Sequence, residues 1–98
     1  MVQAWALMRG RIRLGTLQVL EVDQPWFRCR FEPTAAFADV RELFAEQQRC
    51  LDVEDWDGLE AAMQAIQARQ VRLDALDGDL ELTEFLLHID GEHADLRY

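Results

Sequence analysis

The sequence predicts an α+β fold: an antiparallel sheet of five to six strands with two helices packed on one face. Three observations lead there. Apolar and polar residues alternate toward both ends of the chain, in Trp26–Glu32 and again in Phe85–Tyr98. Between them, residues 34–69 carry apolar side chains at three- and four-residue spacing. The turn signals Arg9-Gly10, Asp77-Gly78 and Asp90-Gly91 fall in the flanking parts. The expected order is βββααβββ, in one domain over residues 1–98.

Val2–Met8 reads as a strand with Trp5 and Leu7 on one face. A two-residue turn at Arg9-Gly10 sets Leu7 opposite Ile12 and Trp5 opposite Leu14, all four on the core face. The second strand, Arg11–Val22, changes apolar parity at Gly15, which is the sequence mark of a β-bulge. Asp23-Gln24-Pro25 turns the chain. Trp26–Glu32 then alternates, with Phe27, Cys29 and Phe31 inward and Arg28, Arg30 and Glu32 outward. This register pairs Val19 with Cys29 and Leu17 with Phe31. It groups Leu20, Val22 and Trp26 on the opposite face, beside Arg28.

Pro33-Thr34 opens the first helix, with Thr34 as its N-cap. Phe37, Val40, Phe44 and Leu51 form its apolar stripe, widened by Leu43. The second helix runs from about Asp55 to Arg69, with Trp56, Leu59, Met63 and Ile66 on one face. Asp52, Glu54, Asp55 and Asp57 crowd its start, where they offset the helix dipole. Val71–Leu76 is a strand ended by Asp77-Gly78. In the last hairpin, a turn at Asp90-Gly91 sets Leu87 opposite Ala94, Phe85 opposite Leu96, Glu84 opposite Arg97 and His88 opposite His93. A loop or bulge is expected near Thr83, where the apolar phase breaks.

Three stretches are similar to a group of small uncharacterised bacterial proteins: Pro25-Trp26 leading into Arg30-Phe31-Glu32-Pro33, Ala36-Phe37 leading into Leu43-Phe44, and Phe85-Leu86-Leu87-His88-Ile89-Asp90-Gly91. The resemblance rests on turns and core residues and implies no activity.

Composition closes off several chemistries. The chain has no lysine, serine or asparagine. It therefore has no serine nucleophile, no Schiff-base lysine and no asparagine oxyanion donor. Ten arginines face nineteen acids, a net charge of −9. Residues 1–31 are net +3 and residues 32–98 net −12. Overall acidity argues against nucleic acid as a partner. A local arginine stripe on the N-terminal strands would still suit an anion or an acidic partner. No apolar run reaches the roughly 20 residues of a membrane span, and the N-terminus does not read as a signal peptide, so a cytoplasmic location is expected. Cys29 and Cys50 are expected reduced and buried.

No cofactor is expected. His88 and His93 are the metal candidates, with Asp90, Glu92 or Asp95 near them and zinc or nickel as the suitable ions. The other reading of these histidines is a solvated pair on the sheet's open face that would carry a mild pH effect. None of Gly58, Gly78 and Gly91, placed at the sixth position of a calcium loop, brings an acid to position one. No carboxylate pair stands out and no glycines cluster into a phosphate loop. Leu20, Val22 and Trp26, bordered by Arg28 and Arg30, form the candidate interaction surface. The alternative is that they cover the end of the core.

The expected function is a non-enzymatic protein-interaction module, adaptor or antitoxin-like. It would bind a protein partner, or form a homodimer, through the open sheet face or an edge strand. The alternatives are a small metal protein or enzyme using His88 and His93 with nearby carboxylates, and a domain holding a ligand in an apolar pocket between sheet and helices.

Overall fold

A computed structural model describes Met1–Tyr98. Its elements are β1 (Ala4–Arg9), β2 (Ile12–Asp23), β3 (Trp26–Pro33), a 3₁₀ helix (Ala35–Asp39), α1 (Arg41–Asp52), α2 (Trp56–Gln67), β4 (Val71–Ala75), β5 (Glu81–Leu82), β6 (Leu86–Asp90) and β7 (His93–Arg97). The strands form one antiparallel sheet in the order β5-β4-β1-β2-β3-β7-β6. The α+β class, the antiparallel sheet and the two α-helices agree with the sequence reading. The sheet has seven strands rather than five to six, because Glu81 and Leu82 pair with Asp74 and Leu73 as a short edge strand.

Sixteen buried residues make one continuous core. The sheet contributes Trp5, Leu17, Phe31, Leu73, Leu87 and Leu96 among others, and the helical segment contributes Phe37, Val40, Phe44 and Ile66. α1 lies against β6, and α2 lies mainly against α1. Tyr98 closes one end of the core, edge-on to Trp5 at 5.4 Å and stacked on Phe27 at 5.1 Å.

Both outer hairpins turn one residue later than expected. Their two-residue loops are Gly10-Arg11 and Gly91-Glu92. Gly10 has φ 59° and Gly91 φ 62°, whereas Arg11 and Glu92 have no positive φ. Glycine thus takes the first central position, the II′ pattern, instead of the second. In the first hairpin this pairs Arg9 with Ile12, Leu7 with Gly15 and Trp5 with Leu17, and leaves Leu14 as the extra residue of a bulge. The bulge lies where the parity change placed it. Ile12, expected in the core, is 56 % exposed, while Trp5, Leu7 and Leu14 are buried.

The pairs Leu17–Phe31 and Val19–Cys29 form as expected. A second bulge, at Leu20, was not foreseen. Beyond it Glu21 pairs with Arg28, Val22 with Phe27 and Asp23 with Trp26. One extra residue reverses the facing of everything after it.

Thr34 does not cap a helix. Its hydroxyl donates to the Arg13 carbonyl at 2.6 Å, and its N–H donates to the Leu14 carbonyl at 2.9 Å. Tied to β2 in this way, the chain makes a 3₁₀ turn before α1 begins at Arg41. Asp55 does cap α2, accepting from the Gly58 N–H at 3.0 Å. The buried face of α2 is rotated from the expected one. Ala62 and Ile66 are buried, while Trp56 is 60 % exposed and Leu59 and Met63 are half-buried. Gly58 sits so close to the Cys50 sulfur and the Asp55 carboxylate that a β-carbon there would clash. The small face of α2 therefore meets α1, and Trp56 points about 120° away from Ala62 around the helix.

Candidate functional site

The candidate site is built on the β3–β7–β6 end of the sheet. β7 pairs with β3 through Arg28–Asp95, Cys29–Ala94 and Arg30–His93. It pairs with β6 through Leu87–Leu96, His88–Asp95, Ile89–Ala94 and Asp90–His93. This last register is shifted by two residues from the expected one. The even shift leaves every side chain on its expected face but changes its neighbour. Leu86 takes the place opposite Arg97 that Glu84 was expected to hold, and Phe85 precedes the strand.

Two rows of alternating character cross the open face as a result: Arg28–Asp95–His88 and Arg30–His93–Asp90. Arg28 reaches Asp23 at 2.8 Å and Asp95 at 3.6 Å, and Arg30 reaches Glu32 at 3.5 Å. These pairs are exposed, so each contributes little stability. Trp26 spans the sheet to lie on His88, with ring centroids 5.2 Å apart. Burial pulls the His88 pKa below the ordinary histidine value, and Asp95 opposes this only in part. His88 is therefore neutral at neutral pH.

The residues expected to form the interaction surface are only partly united. Trp26, Arg28 and Arg30 share the open face, as alternation along β3 requires. Leu20 is exposed in its bulge on β2. Val22 pairs with Phe27 and so belongs to the opposite face. His88, which the sequence offered as a metal ligand or as one of a solvated pair, is the residue that joins Trp26. His88 and His93 are not paired with each other, and no group of three or more His, Cys, Asp or Glu side chains is arranged to hold a metal ion.

The arginine stripe is divided. Arg28 and Arg30 have acidic neighbours at one end of the sheet. Arg9 instead borders a cleft lined also by Asp39, Arg69 and Arg72, where Arg72 is paired with Asp74 at 3.0 Å. A second cleft, of about 550 Å³, lies between α1 and the β6–β7 turn. Its floor is Phe31, Phe37, Phe44 and Ile89, each no more than 5 % exposed. These side chains belong to the core, and Arg41, Arg49, Asp52 and Glu92 line the cleft as well. Both thiols are buried. Burial pushes Cys29 up to about 11 and also raises Cys50, where the Glu46 carboxylate adds to the effect.

The sheet has three free margins. β5 is two residues long and carries Glu81. The end of β2 that extends past β1 carries the Leu20 bulge with Glu21 and Asp23. Short strands, bulges and charges are the usual protections against edge pairing. The outer edge of β6 pairs with no strand and has fewer of these: five residues, Leu86-Leu87-His88-Ile89-Asp90, with no proline, no bulge and a single acid at the end, and α1 packed against the strand. A lysine guard is impossible in a chain that contains no lysine.

No family model matches the chain, and the comparisons with curated proteins and with solved structures likewise find no match.

Proposed function

We propose that this chain is a non-enzymatic protein-interaction module that engages a protein through the β6 end of its sheet. The observation that carries the reading is the unpaired outer edge of β6 beside Trp26 and His88. Backbone N–H and C=O groups along such an edge supply affinity to an incoming strand. An aromatic residue next to them supplies a contact of the kind found at binding hot spots. The Arg28 and Arg30 rows lead to it across the open face.

The nucleophile chemistry of an enzyme has poor support here. The thiols are buried with raised pKa values, and His88 is engaged by Trp26 and Asp95.

The test compares wild type with Trp26→Ala, each immobilised and exposed to source-cell extract and to the purified chain itself. A bound protein, this chain included, whose retention falls about tenfold or more in the variant supports the reading. Circular dichroism of the variant should match wild type. Binding that ignores Trp26→Ala, or no binding of any protein, would sink it.

A further inference from the structure

We propose that the occupant of the β6 edge is β6 of a second copy, paired antiparallel about His88. This rests on the interaction-module reading and names its partner. The two sheets become one continuous sheet with a two-fold axis at His88.

The register follows from the strand. His88 is the centre of Leu86–Asp90, so pairing about it uses the whole strand. It sets Leu87 opposite Ile89 of the second copy, and both are buried core-face residues in each chain. The apolar layer then runs unbroken from one copy to the other. A slip of one residue would set core-face residues against open-face ones. Asp90 faces Leu86 of the second copy, so no like charges meet. His88 faces its own counterpart, each bordered by a Trp26 ring.

Self-pairing is favoured over a foreign strand by symmetry. An antiparallel strand pair about a central residue is self-complementary, and such isologous contacts are the commonest in homo-oligomers. The two α1 helices, each lying over its own β6, would flank the axis on the helical side. A contact of one short strand per copy makes a weak dimer, so the equilibrium is expected in the micromolar range or above.

Two measurements test this. Sedimentation equilibrium of the wild type should show monomer and dimer exchanging with concentration, and His88→Lys should weaken the dimer about tenfold or more, since it sets two lysines face to face on the edge. Cross-linking then reads the register. With mild oxidant, His88→Cys should form a disulfide-linked dimer, because directly opposed β-carbons lie about 5 Å apart. Asp95→Cys, on the same face but one strand inward, should not. The buried native thiols do not interfere.

A wild type that stays monomeric overturns the pairing, as does cross-linking that is equal in the two cysteine variants. If the monomer still binds another protein in a Trp26-dependent way, the interaction reading stands and only the choice of partner falls. If it binds nothing, both fall.

Discussion

Trp26 on β3 and His88 on β6 stack across the intervening β7, their ring centroids 5.2 Å apart and their planes inclined by 38°. Neither residue neighbours the other in sequence or in strand order. Trp26 precedes the Phe27–Leu96 pair while His88 shares the Arg28–Asp95 row, so the indole reaches diagonally across β7.

The first consequence is a pH dependence. The folded protein lowers the His88 pKa, chiefly by burial, from an ordinary value of 6.5. The unfolded chain therefore binds this proton more readily than the folded one. Stability is full above the ordinary value, falls as pH drops from 6.5 toward the folded pKa, and levels off below it. An NMR titration should place His88 below 6.5, and Trp26→Ala should move it upward. A His88 titrating at or above the ordinary value would contradict the contact.

The second concerns Gly15. A β-carbon there would run into the Phe31 ring and lie 2.9 Å from the Glu32 carbonyl oxygen. Phe31 is almost wholly buried and cannot swing aside. Gly15→Ala should destabilise the fold by about 1–3 kcal/mol, the usual range for overpacking a core. Urea denaturation checks this, and a variant as stable as wild type would show that the ring has room to move.

A third prediction concerns the thiols. With Cys29 buried and raised to about 11, and Cys50 buried and raised as well, neither presents a thiolate to solvent. Alkylation of the native protein at mildly alkaline pH should be slow and should accelerate at least about a hundredfold in denaturant. Rapid labelling of either cysteine in the folded state would mean that its surroundings open readily.

Much of this architecture was legible in the residues. The alternation of Phe27, Cys29 and Phe31 placed β3, and its pairing with Leu17 and Val19 was correct. Gly15 marked a real bulge because its apolar phase broke beside a glycine. The bulge at Leu20 carries no such mark, and it alone sent Val22 to the wrong face. Both hairpin registers were misread for one reason. Arg9-Gly10 and Asp90-Gly91 suggest turns with glycine second, whereas Gly10 and Gly91 stand first.

The Trp56 stripe was misassigned because periodicity finds the larger apolar face of a helix. Packing chose the smaller one, where Gly58 and Ala62 let α2 approach α1 closely. The Trp26–His88 contact was out of reach, since it depends on the order β3-β7-β6, which no local pattern encodes.

Amide hydrogen exchange along β6, followed as protein concentration rises, tests the edge pairing most directly. Amides in Leu86–Asp90 that point away from β7 should exchange freely in dilute protein and slow as the second copy docks, with those of β5 unchanged. Exchange along β6 that stays the same at every concentration would contradict the pairing.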